Sequence, residues 1–205
     1  NRALELSLFL SIPATIALLI ASNLIVSALF GYGSFSETSV ENSAKALFYF
    51  AFGLPAFSLI KVFSSFFFAR HDTKTPFYIS LFSVLLNILI SILLFQKVGF
   101  IIIPIATSIS SWFNAILLYI FSKKKDFFSF NDIFIYRFPR ILISSLIMGL
   151  IFYFSLNLLG EKLIYSENLK FIYLLLSILV ALISYVVVSI FTKAFKMSDI
   201  NLKYK

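Results

Sequence analysis

The chain has 205 residues, 60% of them hydrophobic, 19% aromatic and 13% charged, with a mean hydropathy of +1.00 and a net charge of +8. Soluble domains carry roughly 25% charged residues, and an aqueous fold of this length has too little interior to hide so much apolar surface, so the composition excludes a soluble domain. With no cysteine and a single histidine, His71, the chain also has no disulfide, no thiolate metal site, no thiol nucleophile and no histidine cluster.

Six stretches, at 3–30, 44–69, 76–95, 100–121, 138–159 and 169–192, each reach the roughly 20 mostly apolar residues that cross a bilayer. They predict an all-α, polytopic transmembrane bundle of six spans. The chain opens Asn1-Arg2 instead of with Met, which predicts a piece of a longer protein or a processed chain. The first stretch is too long for the roughly 7–15 apolar residues of a signal-peptide core.

In the first span Ser7, Ser11, Thr15 and Ser22 form a thin polar stripe. Before the second, Thr38 and Glu41 have capping-box spacing. Within the second lies Lys61, about nine residues from Arg70 and so roughly 13 Å deep. A lysine at a span's centre costs about 2.5–3.5 kcal/mol on insertion scales. Its stem either snorkels to the interface or its charge faces a wet cavity. Ser58, Ser64 and Ser65 share its face, which favours the cavity.

The third span is preceded by the turn Arg70-His71-Asp72-Thr73-Lys74-Thr75-Pro76, with Thr75 expected to cap the helix and Pro76 to open it. Arg70, Asp72 and Lys74 are expected to form a small ion cluster there. Ser80, Ser83, Asn87 and Ser91 then line one face of span three, and Thr107, Ser110, Ser111 and Asn114 one face of span four. Such stripes serve either helix packing or a polar path. An amide in hydrocarbon needs several partners, so Asn87 and Asn114 are the stronger path candidates.

Residues 126–137 are mixed aromatic and polar and are expected to lie at the interface as a short amphipathic segment. They divide the chain into 1–125, with four spans, and 138–205, a terminal pair with a tail. Spans five and six are rich in Ile, Leu, Val and Phe, and Ser144, Ser145, Ser177 and Ser184 are expected to back-bond within their helices. The pair is expected to leave an apolar groove walled by Met148 and Ala181. Gly160 follows span five as a helix-ending residue. Pro13, Pro55 and Pro104 are expected to bend spans one, two and four.

If the spans alternate, one side carries Arg2, Arg70, Lys74, Lys123, Lys124, Lys125, Arg137, Arg140, Lys193, Lys196, Lys203 and Lys205, which is 12 of the 17 basic residues. The other side carries Lys45, Lys97, Lys162 and Lys170. The positive-inside rule then places both ends in the cytoplasm. This distribution does not suit nucleic acid. No catalytic set, Gly-rich phosphate loop or metal-ligand spacing emerges, so neither a metal nor a cofactor is expected.

Four stretches in order resemble the MurJ/MviN family of lipid II flippases. They are the turn Phe30-Gly31-Tyr32-Gly33-Ser34-Phe35; the loop Ala69 to Pro76 with its acid, base and Thr-Pro; Asn87; and Gly99 followed by Ala106-Thr107-Ser108-Ile109-Ser110-Ser111-Trp112-Phe113-Asn114-Ala115. The resemblance implies the last six of fourteen helices in a two-lobed, MATE-like fold of the MOP superfamily. It implies a transporter, not an enzyme, that moves an undecaprenyl-linked precursor across the bacterial inner membrane for peptidoglycan synthesis. Spans one to four would belong to the second lobe, and the last pair would receive the lipid tail. Lys61 falls where the family has a lysine in its tenth helix. The family's cavity arginines lie mainly upstream, so the missing N-terminal lobe of the same chain is an expected partner and this piece alone is expected not to flip lipid. Three alternatives stay open: an exporter of lipid-linked polysaccharide or drugs from the same superfamily, a membrane transferase on undecaprenyl substrates using His71 and Asp72, and a non-transporting membrane scaffold, against which the polar stripes weigh.

Overall fold

The computed structural model describes residues 1–165, 167 and 169–194. The tail carrying Lys196, Asp199, Lys203 and Lys205 lies outside the described residues. The elements are α1 (Arg2–Phe30), α2 (Glu37–Ala51), α3 (Leu54–Phe68), α4 (Lys74–Val98), α5 (Ile102–Lys124), α6 (Asp132–Leu158) and α7 (Lys170–Phe191). Short 3₁₀ turns, Gly99–Ile101 and Gly160–Leu163, precede α5 and follow α6.

Lys74–Lys124 forms one apolar run of 51 residues. Straight, it would be roughly 76 Å long, more than twice the ~30 Å of a hydrocarbon core. It folds back at Gly99, whose φ of 74° is readily adopted only by glycine, and α4 packs along α5. The run is therefore two passes. With α1, α6, α7 and the bent pair α2–α3, the described chain has six passes, as the hydropathy predicts.

The second pass is broken, not merely bent. α2 and α3 meet at 41° across Phe52 and Gly53. Pro55 sits in the first turn of α3 and has no N–H to give the preceding turn. The Gly53 N–H bonds the Phe50 carbonyl at 2.9 Å and leaves the carbonyl of Tyr49 without its usual helical donor. Two side chains one turn apart on α5 repair the damage. Ser108 Oγ donates to the Tyr49 carbonyl at 2.6 Å, and Trp112 Nε1 to the Phe52 carbonyl at 2.9 Å. A break at membrane depth is tolerated only when the freed groups are satisfied in this way.

The other expected bends differ. Pro104 is the third residue of α5, where its missing N–H costs no helical bond. In α1 the departure from helical backbone is at Ala21 (φ −117°, ψ 18°), not at Pro13.

The chain forms two compact units: Asn1–Ser11 with Lys45–Phe130, and Ile12–Ala44 with Asn131–Lys205. In the first, α5 is the central helix, packed on both α3 and α4. α4 buries only Pro76, Ile79 and Ser83 and exposes large apolar residues such as Phe82, Leu89 and Ile92. Residues 127–130 fold back as an aromatic strap. Phe128 stacks on Phe66 at 5.3 Å and meets Phe63 edge-on, while Phe130 lies against Tyr119.

In the second unit α6 packs along α7. Its first turns are residues 132–137, so the second half of the expected interfacial segment is helical and continuous with the span; Asn131 caps it by accepting from the Ile133 N–H. Ser145, Ser177 and Ser184 back-bond within their helices as expected. Ser144 instead reaches Thr192 Oγ1 at 2.8 Å. Met148 and Ala181, expected on an open groove wall, are 3% and 4% exposed. They belong to the packed interior, because small residues on these helices draw the backbones together. At Gly149 an added Cβ would lie 2.6 Å from Ile16 Cγ2, so α1 approaches α6 too closely for any side chain.

Helix starts are corrected in two places. α2 is capped by Ser36, whose Oγ accepts from the Ser39 N–H and bonds the Thr38 hydroxyl; the expected cap, Thr38, is already helical. α4 begins at Lys74, and its first turn is held by Asp72, not Thr75. Gly160 does follow α6, but within a 3₁₀ turn and not as a left-handed cap.

Candidate functional site

Three polar constellations stand out in the otherwise apolar bundle. The first is the seam between α4 and α5. Asn87 Nδ2 donates to Thr107 Oγ1 at 3.1 Å and to Ser110 Oγ at 3.2 Å, and Ser91 Oγ donates to Asn87 Oδ1 at 3.4 Å. Asn114 Nδ2 reaches Ser80 Oγ at 3.4 Å, and its buried Oδ1 has no partner among the described residues. The two stripes read from the sequence therefore face each other. Ser83, Thr107, Ser110 and Ser111 also back-bond to their own helix, as Ser83 does to Ile79 and Ser111 to Thr107.

Lys61, Ser58 and Ser65 are on α3, away from that seam's hydrogen bonds. Lys61 is exposed and makes no ion pair with any described residue. Ser58 is half-buried, and Ser65 Oγ is engaged with the Val62 carbonyl at 2.7 Å. The structure thus separates the predicted path residues into a bonded group, Asn87 and Asn114, and an unbonded charge, Lys61.

The second constellation is the loop between α3 and α4. α3 ends with His71 in the left-handed region (φ 58°), and the Asp72 N–H closes the turn onto the Phe67 carbonyl. This is the hydrogen-bond pattern of a helix stop. Asp72 then accepts from the Thr75 N–H at 3.0 Å and the Thr75 hydroxyl at 2.8 Å. Its ionic partner is Lys125 at 2.6 Å, from the end of α5. The expected cluster with Arg70 and Lys74 is not formed. Arg70 instead donates to the Phe66 and Phe127 carbonyls and lies 4.5 Å over the Phe127 ring. The hydrogen bond from Lys125, then that from Thr75, holds the Asp72 carboxyl down at about 2, against the opposing cost of burial. Pro76 is buried in the first turn of α4.

The third constellation was not foreseen as one. Lys170, counted from the sequence as an outer-loop charge, is 1% exposed. Its Nζ donates to the Gly31 and Tyr165 carbonyls, each at 2.7 Å, and lies 4.3 Å from the Tyr32 ring and 4.6 Å from the Tyr165 ring. Tyr165 in turn donates its hydroxyl to the Phe35 carbonyl at 2.6 Å. This explains the Gly31-Tyr32-Gly33 turn physically. Gly31 sits where a Cβ would be 2.5 Å from the Ser27 carbonyl, Tyr32 offers a ring face to the ammonium, and Gly33 takes φ 60°. The sequence signal available was the pairing of that aromatic turn with a lysine opening an apolar span.

Among the described residues no three His, Cys, Asp or Glu side chains gather as a metal group. Six passes, one of them broken and repaired, with a polar seam between two others, define a multi-pass helical membrane protein.

The family model described as "Lipid II flippase MurJ" matches residues 1–174. The chain is 41% identical over 125 residues to a probable lipid II flippase MurJ of Rickettsia prowazekii, covering 61% of this chain and 25% of that protein. It is 36% identical over 160 residues to the Rhizobium meliloti protein of the same name, covering 78% of this chain and 30% of the relative. A solved structure, "Lipid II flippase MurJ, inward closed conformation", superposes with a TM-score of 0.75 at 28% identity, over 94% of this chain and 38% of that one. The chain belongs to the MurJ family. It spans about a quarter to a third of the length of these curated relatives.

Proposed function

We propose that the chain is the C-terminal part of a flippase that moves lipid II across the bacterial inner membrane by alternating access. The observation that carries this reading is the family match over residues 1–174, joined to a structural likeness that covers 94% of the chain. The substrate is an undecaprenyl-linked lipid, and the N-terminal lobe is supplied by the same polypeptide. Both ends of the segment face the cytoplasm, a reading supported by the uneven distribution of basic residues. In this division 1–125 supplies helices of the second lobe, 126–137 a linker, and 138–205 the terminal pair and tail.

Within that frame Lys61 lies on the substrate path with Ser58 and Ser65 beside it. An exposed charge with no described counter-ion is costly in hydrocarbon, and a wet path lined by an anionic cargo relieves the cost. Asn87 and Asn114 fix the α4–α5 seam next to that path. The loop Arg70, Asp72, Lys74, Thr75 and Pro76 forms the cytoplasmic gate, with the Asp72–Lys125 pair fastening the ends of α4 and α5.

The test is complementation by the full-length protein in a strain depleted of its own flippase. Wild type should restore growth, and Lys61→Ala should restore it poorly at equal expression. Failure of the wild-type protein to complement would refute the flippase reading. Full activity of Lys61→Ala would remove Lys61 from the path. Single cysteines at Ser34 and Lys124 should label from opposite sides of the membrane; labelling from one side would overturn the orientation.

A further inference from the structure

We propose that the break at Phe52 and Gly53 is a two-state hinge, held bent by Ser108 and Trp112 of α5 and closing into one continuous α2–α3 helix when α5 withdraws them. The break, α3 and α5 all lie within the first unit.

Each carbonyl that α5 serves has a second possible donor. In a continuous helix every N–H bonds the carbonyl four residues back, so Tyr49 would accept from Gly53 and Phe52 from Ala56. In the bent state the Gly53 N–H goes to Phe50 instead, at 2.9 Å. Ser108 Oγ and Trp112 Nε1 then serve Tyr49 and Phe52. Neither carbonyl is orphaned in either state, which is the condition for a movable break at membrane depth. The rotation required is small. Gly53 has φ −81° and ψ −17°, already close to helical values. Phe50 and Phe52 are 37% and 46% exposed, so their rings do not pin the bend.

Pro55 opposes closure. In a continuous helix its ring crowds the Ala51 carbonyl and offers it no N–H. The two α5 side chains add the rest, unequally. Once released, Ser108 can back-bond to the Pro104 carbonyl of its own helix. Trp112 has no such substitute: its indole N–H is a donor only, and the ring does not fold back onto its own backbone. Trp112 is therefore the stronger of the two latches. Discrete changes of this kind are what alternating access is built from. The geometry holds for any cargo, however, so the hinge can fail while the flippase reading stands.

The experiment measures spin-label distances in the full-length protein, freed of any other cysteine, in lipid nanodiscs. Lys45→Cys on α2 carries one label, and Lys97→Cys on α4 or Ile120→Cys on α5 carries the other; all three positions are exposed. Lys45 lies roughly 12 Å along α2 from the break, so closing the 41° bend carries it roughly 8 Å sideways. Wild type is expected to show the bent distances, with the closed state a minor one of roughly 0.1–10%. The Ser108→Ala, Trp112→Phe double variant is expected to make the closed state the major one, with a shift of at least about 3 Å in one label pair. Of the single variants, Trp112→Phe should move more molecules than Ser108→Ala; the reverse order overturns Trp112 as the main latch. Pro55→Ala gives Ala51 its donor, alters no α5 side chain and is expected to shift the distances the same way. Wild-type distances in both the double and the proline variants overturn the hinge and leave a rigid break set by packing. A shift in Pro55→Ala but not in the double variant overturns the role of α5 and leaves an ordinary proline kink. If the double variant fails to fold, Pro55→Ala decides alone, with the Trp112 indole N–H as a second reporter: its proton should exchange faster than in wild type once the bend closes, and an unchanged rate overturns the latch. None of these readouts depends on transport.

Discussion

Lys170→Met removes the buried ammonium and keeps most of its stem. Two charge-assisted hydrogen bonds, at 2.7 Å to the Gly31 and Tyr165 carbonyls, are lost; each is worth about 1.5–3 kcal/mol. Ring contacts at 4.3 and 4.6 Å are lost too, at about 0.5–2 kcal/mol apiece. Against this, the thioether no longer bears an ammonium's desolvation cost, which is several kcal/mol. What remains is dominated by two carbonyls deprived of a donor, so a net loss of about 2–4 kcal/mol is expected. Denaturant unfolding of the full-length protein in detergent, wild type against variant, measures it. Amine acylation supplies a second reading, since Lys170 should resist a reagent that modifies the exposed Lys97. A variant within about 0.5 kcal/mol of wild type, a change typical of uninvolved surface sites, or acylation of both lysines at the same rate, would refute the buried-clamp argument.

Three further expectations concern the loops and the broken span. Trp112→Phe strips the donor from the Phe52 carbonyl and should destabilise the protein by about 1–3 kcal/mol, read by the same unfolding assay, with Ser108→Ala acting in the same direction through Tyr49. His71→Gly should leave stability unchanged or raise it by about 1 kcal/mol, because the left-handed backbone at φ 58° favours glycine; a large loss would show a side-chain role for the histidine. For Asp72 the folded carboxyl is held at about 2, below its ordinary 3.8. Its contribution should therefore be full above pH 3.8 and be lost as pH falls through about 2, and Asp72→Asn should abolish that dependence in acid-unfolding curves.

The passes were legible because hydrophobic length is a collective signal that no single residue can hide. The serine and asparagine stripes were legible for the same reason, as three- and four-residue spacing fixes a face. What the spacing left open was whether the stripes face each other or a path. Asn87 with Thr107 and Ser110 answers it, since only the packing of α4 on α5 brings partners twenty or more residues apart into reach. The break at Gly53 was half legible through Pro55. The kink at Ala21 was not, because alanine is the best helix former and carries no local signal of a departure. Lys170 misled in the opposite way: a lysine at the start of an apolar helix reads as a solvated flank until carbonyls from two other turns are seen around it.

These cases share one physical cause. In hydrocarbon, an unmade hydrogen bond is more costly than in water, so each polar atom at depth is an obligation placed on some neighbour. The sequence displays the obligations: an amide, a proline, a lysine. It does not display who meets them, since the partners are carbonyls, hydroxyls and an indole N–H distant in the chain. At the broken span the debtor and the partner are 59 and 60 residues apart, and at the Lys170 clamp 139. The Ser27 hydroxyl, Asn114 Oδ1 and Lys61 are the informative exceptions. No described residue answers the Ser27 hydroxyl, and Lys61 stands exposed with no described counter-ion. The same reasoning that explains every satisfied group marks these as obligations that no described residue of the segment meets.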